Sequence, residues 1–330
     1  MHSRIPSAAT GIGSMPGTSA AAACAVVVGE IPEWPALPEL PARGAGADMV
    51  GRTAAALMQI DPSFALEAVP TGWQRTGRPG PDMRRARSWL GEDLDRFEEA
   101  LAGYEGPVKI QLCGPWTWSA AVEDGSGRRL VRDSSFTAEL AEATGLAVAE
   151  QVAQVQRRVP AATIVVQLDE PGLPAVLAGD IPTASGLGRL AAVPRPQVVA
   201  GLAHVRRPGD APMLLHCCGA GLFTVAREAA YDGVSWDAGT DEDAEGAAEA
   251  FESGVALVPG LVPALSPGTV ETAWSLFREW WRRTGLGSDA ARGLAVTPSC
   301  GLAGARGDVA RAALAVTREV RARLPEWDGS

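Results

Sequence analysis

The chain contains a single lysine, Lys109, with three histidines and five cysteines in 330 residues. Each shortage excludes something. Asp and Glu outnumber Lys and Arg so far that the formal net charge is -10, which argues against a nucleic-acid-binding surface. Cysteines this few, and odd in number, do not form a disulfide framework and suit a reducing compartment. No apolar run reaches the 18 residues that a membrane span needs. The start, Met1-His2-Ser3-Arg4-Ile5-Pro6, lacks the apolar core of a signal peptide, so a cytoplasmic protein is expected. The near-absence of lysine beside abundant Arg, Ala, Gly and Pro reads as a compositional bias of the genome.

What is present is concentrated. One histidine and three cysteines fall in two short segments, Leu214-Leu215-His216-Cys217-Cys218-Gly219 and Thr297-Pro298-Ser299-Cys300-Gly301-Leu302. Both are apolar runs ending at glycine, the pattern of a buried parallel strand that delivers side chains to a pocket rim.

Such runs alternate with helical stretches along the whole chain. Strands are expected at Ala9–Ser14, Ser63–Val69, Val108–Cys113, Thr163–Asp169, Met213–Cys218, Val234–Asp237, Val255–Pro259 and Leu294–Ser299. Helices are expected from Ser134, with Val148, Val152, Val155 and Val159 on one face, and over Glu92–Tyr104, Ala220–Ala230, Asp241–Ser253, Thr269–Thr284 and Asp308–Leu324. Strand–helix alternation implies parallel strands joined by crossovers. Eight of them predict one α/β domain over residues 1–330, a (β/α)8 TIM barrel, with a doubly wound open sheet as the alternative. Two stretches break the pattern. Ile31 to Pro41 carries Pro32, Pro35, Pro38 and Pro41 and predicts a loop. Arg75, Arg78, Arg84, Arg85 and Arg87 form a basic stretch, read either as a solvated loop or as a dock for an anionic ligand tail.

Barrel active sites lie at the C-terminal strand ends. There this reading collects Ser14, Cys113, Asp169, Glu170, His216, Cys218, Asp237 and Cys300. His216 and Cys218, two apart on a strand, point the same way, and Cys217 points away. One imidazole and two thiolates suit Zn2+ and leave a fourth position for water or substrate. Asp237 is a candidate weak ligand; the alternatives are a carboxylate that supports a ligand or caps the next helix.

These residues carry a resemblance. Gly11-Ile12-Gly13-Ser14, Cys113-Gly114-Pro115-Trp116-Thr117, Gln167-Leu168-Asp169-Glu170-Pro171, His216-x-Cys218, Asp232 to Asp237 and Ser299-Cys300-Gly301-Leu302 resemble, in order, segments of the cobalamin-independent methionine synthase family. The resemblance implies a (β/α)8 barrel whose zinc, held by His216, Cys218, Cys300 and the acid at Asp237, binds the sulfur of homocysteine. It also implies that Asp169 meets the amino group of that acceptor and that Ser14 helps seat its carboxylate. Glu170 and Trp116, in the same motifs, become candidate substrate contacts. The implied methyl donor is methyltetrahydrofolate; a methyl-corrinoid is the alternative. Two departures stand out. Full-length members have two barrels, and this chain has room for one. Members also carry a Glu shortly before Asp-Met-Val, whereas Asp48-Met49-Val50 follows Gly44-Ala45-Gly46-Ala47. Other readings are a thiol alkyltransferase of the corrinoid-linked or coenzyme-M type and a non-catalytic zinc or thiol-metabolite binding protein.

Overall fold

Ile164 to Asp169 and Met213 to Cys217 bury every side chain, which a strand does only when both faces of its sheet are covered. The computed structural model describes residues 3–219, 221–240 and 243–329. Its strands are β1 (Leu66–Val69), β2 (Gly72–Arg75), β3 (Pro107–Cys113), β4 (Val122–Glu123), β5 (Thr163–Asp169), β6 (Met213–Cys217), β7 (Gly233–Asp237), β8 (Ala256–Val262) and β9 (Thr297–Pro298). Helices are α1 (Ala20–Glu30), α2 (Met49–Leu57), α3 (Pro81–Ala100), α4 (Pro115–Ala121), α5 (Ser134–Arg158), α6 (Leu173–Ala178), α7 (Arg195–Arg206), α8 (Phe223–Glu228), α9 (Ala244–Glu252), α10 (Val270–Thr284), α11 (Ser288–Ala291) and α12 (Gly307–Arg323).

Six strands, in the order β3-β5-β6-β7-β8-β9, form one all-parallel sheet. Alternation along each strand separates its two faces. Ile164, Val166, Leu168, Leu215 and Cys217 join the large core beneath the helices. Val165, Leu214 and Val258 join a small second cluster with Ile5, Ala8, Trp34 and Ala295. Among the described residues no layer of helices covers that second face. The sheet is curled around it as a half-barrel.

The two edges are linked by parallel bridges. Ala9 bridges Val296, Ser14 bridges Glu39, and Ala36 bridges Lys109 of β3. Backbone bonds accompany them: Thr10 N donates to Val296 O at 3.0 Å, Glu39 N to Gly13 O at 3.1 Å and Leu37 N to Lys109 O at 2.8 Å. Two extended segments, 9–14 and 36–39, thus lie between the sheet's edges, held by bridges rather than full ladders. Among the described residues the main sheet has six strands, not the eight expected.

Several expectations change here. The expected strand at Ser63–Val69 is not in the main sheet: β1 pairs antiparallel with β2, and β2 with β4, in a separate small sheet. Its expected place beside β3 goes to the proline-rich stretch, whose prolines leave Leu37 and Glu39 free to donate. The basic stretch is not a loop either. Arg75 ends β2, and Arg84, Arg85 and Arg87 ride on α3. The cap of α5 is Asp133, whose carboxylate accepts from Ser135 N and Phe136 N, not the serines themselves. Helices α8 and α9 start later than expected, and Ala220 and Asp241 lie outside the described residues. No described helix is long and apolar enough to cross a membrane.

Gly260 fixes how closely β8 approaches β9, at a register shift between Gly260 and Val262. A Cβ there would lie 2.7 Å from Ser299 Cα and from Trp236 O, both backbone. Gly260→Ala should therefore cost about 1–3 kcal/mol in urea unfolding. Gly91→Ala, inside α3 where a Cβ meets nothing within 4 Å, should gain about 0.5–1 kcal/mol. Equal effects of the two would show that the close approach at Gly260 is not tight.

Candidate active site at the ends of the parallel strands

β5 and β6 pair so that Asp169 lies opposite His216, and β6 and β7 so that His216 lies opposite Ser235. On the concave face the side chains run Val165, Gln167, Asp169 along β5 and Leu214, His216 along β6, apolar at the bottom and polar toward the C-terminal end. Cys218 follows directly after β6. Cys300 arrives from the chain just beyond β9.

The three metal-type side chains meet in series. His216 Nε2 is 3.2 Å from Cys218 Sγ, and Cys218 Sγ is 2.9 Å from Cys300 Sγ. The other ring nitrogen, Nδ1, is 3.1 Å from Ser235 Oγ. Burial pushes the imidazole pKa down to about 3, with a contribution from the positive charge of Lys109, so the ring is neutral. A tautomer that donates from Nδ1 to Ser235 leaves the Nε2 lone pair facing Cys218. The two thiols share a hydrogen bond. That bond lowers Cys300 to about 7, while the same bond and burial push Cys218 far up. No set of three His, Cys, Asp or Glu side chains among the described residues has metal-holding geometry. The donor chemistry nevertheless fits zinc: a neutral imidazole oriented by a hydroxyl, beside two thiols that would have to part by roughly 1 Å to ligate one tetrahedral ion.

Asp237 ends β7 and is half-buried; its Oδ1 accepts from Gly239 N at 2.9 Å. Burial raises its pKa, and its negative charge acts on Cys300. Ser14 packs against Gly301, where any Cβ would collide with its hydroxyl, and its carbonyl accepts from Leu302 N at 2.8 Å. The first and last segments of the site are therefore in direct contact. Cys217 is buried in the helix-side core, away from His216.

Asp169 is buried, and its Oδ1 accepts from Gln167 Nε2 at 2.7 Å. Burial raises its pKa well above the usual carboxylate range, and the nearby Glu39 adds to this, while Lys109 opposes it. Glu170 and Trp116, expected to touch substrate, are engaged within the protein. Glu170 Oε1 accepts from Trp116 N at 3.0 Å, and Oε2 from Thr117 N at 2.7 Å and Thr117 Oγ1 at 2.6 Å. The carboxylate thus caps the start of α4, although burial lifts its pKa to about 7. Trp116 is buried, with Nε1 donating to Val198 O at 3.2 Å. Cys113, expected at the rim, is buried and hydrogen-bonded to Gly114 O at 3.7 Å, and its backbone N to Thr53 Oγ1 at 2.9 Å.

Sequence reasoning missed three residues here. Lys109 donates to Ile12 O at 3.0 Å and to Gln167 Oε1. Glu39 is buried, pairs with Arg52 at 3.4 Å, and has its pKa raised by burial. Ser235 orients His216. Only Lys109 left a signal, as the sole lysine of the chain. The expected basic dock is dispersed. Arg75 donates to Ser63 O at 2.9 Å and lies 4.9 Å from the Phe136 ring centre, and Arg85 pairs with Asp82.

A parallel α/β chain with thiols and an imidazole gathered at its strand ends is the class that fold and site define. The profile described as "Cobalamin-independent synthase, Catalytic domain" matches residues 105–323, more than half the chain. The chain belongs to that family. Among solved structures it is similar to a B12-independent methionine synthase from Shewanella sp. W3-18-1 in complex with selenomethionine. That likeness has 13% identity and a TM-score of 0.63, and covers 98% of each chain. A beta-galactosidase from the psychrophilic Marinomonas ef1 also matches, with 15% identity and a TM-score of 0.44, over 95% of this chain and 59% of that one. A search among curated proteins returns no match.

Glu170→Ala should cost about 1–3 kcal/mol in urea unfolding, because three donors at the start of α4 lose their acceptor. An unchanged unfolding midpoint combined with a lost ligand affinity would return Glu170 to the substrate contacts.

Proposed function

We propose that the chain is a single-domain, zinc-dependent methyltransferase that moves a methyl group to a thiol, with homocysteine as acceptor and methionine as product. The observation that carries this reading is the meeting of His216, Cys218 and Cys300 at the strand ends of a chain in this family. The similar structure in complex with selenomethionine supports the acceptor, since that ligand is an analogue of the expected product. The eight-position barrel is part of the proposal: segments 9–14 and 36–39 supply the two positions that complete the six-stranded sheet.

His216, Cys218 and Cys300 would hold zinc, with Asp237 as the fourth protein ligand or as a support for the site. Zinc bound there supplies the means to keep an acceptor thiol, with a pKa near 8.5 when free, as its thiolate at neutral pH. The chain's own residues do the rest. Ser235 holds the imidazole in the orientation that offers Nε2. Asp169 accepts from the acceptor's ammonium group, and Ser14, beside Gly301, helps seat its carboxylate. Gly301 keeps Cys300 and Ser14 close enough to serve one ligand.

Methyltetrahydrofolate is the donor we favour over a methyl-corrinoid, in keeping with the family. Its anionic tail needs cations in an acidic protein. We place that contact in a cleft of about 560 Å³ lined by Arg75, Arg128, Arg129 and Arg132 together with Asp124 and Asp133, in which Arg128 pairs with Asp124 and Arg129 with Glu123, in place of the dispersed Arg75–Arg87 stretch. Changing Arg128, Arg129 and Arg132 together to Gln should weaken the triglutamate form at least tenfold more than the monoglutamate. Equal loss for both forms would remove the cleft from the account.

The zinc centre has its own test. Purified protein should carry one zinc per chain, and Cys218→Ser and Cys300→Ser should each lose most of it, since a neutral hydroxyl replaces a thiolate. Cys217→Ser should retain it, because that side chain packs in the helix-side core. Ser235→Ala and Asp237→Ala should each weaken zinc binding by about 10–100-fold. Full zinc retention in Cys300→Ser would overturn the site.

A further inference from the structure

Lys109 is 0% exposed and is the chain's one lysine. Every other cationic side chain apart from the three histidines is an arginine, so the compositional pressure that removed lysine elsewhere did not remove it here. A planar guanidinium and a compact ammonium are not interchangeable in a buried site. The ammonium lies between Ile12 O, at 3.0 Å, and Gln167 Oε1.

This position has a consequence one bond away. With Oε1 facing the ammonium, the Gln167 amide can only turn its NH2 group the other way. Its Nε2 donates to Ile12 O at 2.9 Å and to Asp169 Oδ1 at 2.7 Å. Asp169 is thereby pinned through one oxygen, and among the described residues no hydrogen bond engages the other. The groups around Lys109 are Asp169 on β5, Glu39 on the bridging segment and His216 on β6. Glu39 has a second cation, Arg52, which also pairs with Asp93, itself held by Arg43 at 2.8 Å. Among the described residues Asp169 has no arginine partner; Lys109 is the cation that favours its charged form, and Gln167 bridges the two by hydrogen bonds.

We propose that Lys109 is a positioning residue: by clamping the Gln167 amide it presents the open oxygen of Asp169 to the acceptor's ammonium group, and so sets the preference of the site for aminothiols over simple thiols. The inference rests on the reading of Asp169 as the amine contact. It assigns no contact between Lys109 and substrate.

The experiment measures, on zinc-loaded protein, the binding of homocysteine and of 4-mercaptobutanoate, which is homocysteine without its amine. Zinc content and thermal unfolding are recorded for every variant. Lys109→Met should weaken homocysteine on the order of tenfold or more and leave 4-mercaptobutanoate within about twofold, the scale of one charge-assisted hydrogen bond. Gln167→Met, which keeps the lysine and removes the relay, should show the same selective loss, and decides the matter if Lys109→Met does not fold. Lys109→Arg should fail to restore the preference. Asp169→Asn separates the two ideas. If it loses the preference while Lys109→Met and Gln167→Met keep it, Lys109 merely fills the barrel and this inference is overturned. If Asp169→Asn itself affects both thiols equally, the amine assignment fails first.

Discussion

A buried lysine amine set among carboxyl groups organises the inside of this sheet; burial lowers its pKa to about 7, against the pull of Asp169 and Glu39. A parallel sheet curled on itself normally fills its interior with branched aliphatic side chains. Here only the lower layer does so, with Val165, Leu214, Val258 and Ala295. Beside and above these lie Lys109, Gln167, Asp169, Glu39, His216 and Ser235, all buried. Uncompensated charge in such a place is costly, and removing one member would leave the others unpaired. The network is therefore a set of mutual constraints. Lys109 and Gln167 both reach the carbonyl of Ile12, which ties the first extended segment to β3 and β5.

From that layer upward, the geometry follows strand by strand. The one-residue register between β5, β6 and β7 sets Asp169, His216 and Ser235 side by side. Alternation then sends Cys218 to the same side as His216 and sends Cys217 into the helix-packed core. Gly260 and Gly301 serve the last approach, one letting β8 and β9 close together and the other letting Ser14 lie against the Cys300 segment. Glu170 works from outside this cluster, holding the start of α4 and so the turn that follows β3.

Much of this is legible in the sequence alone. The span Thr163–Asp169 reads directly as a buried parallel strand, and so do the strands that carry His216 and Asp237, because their apolar runs end abruptly at polar residues. The extended segment beside β3 is not legible. Prolines at 35 and 38 signal a loop, yet the segment needs only a few donors, from Leu37 and Glu39, to sit between Lys109 and Gly13. The stretch at Leu66–Val69 has strand composition, but its partner is the adjacent β2 in a short antiparallel pair, a choice made by the nearby turn rather than by hydrophobicity. Single polar residues inside apolar strands, such as Lys109 and Ser235, carry no periodic signal. Their roles emerge only when neighbouring strands supply partners. Glu170 and Trp116 show the converse: residues in a recognisable motif whose contacts are with the protein itself.

The central claim is that His216, Cys218 and Cys300 form one zinc centre at which an acceptor thiol binds. X-ray absorption at the zinc edge of the purified protein, with and without homocysteine, tests it most directly. The account predicts stoichiometric zinc with two sulfur neighbours and one imidazole nitrogen, and a third sulfur when homocysteine is added. A protein that binds no stoichiometric zinc, or a sulfur count that homocysteine does not change, would contradict it.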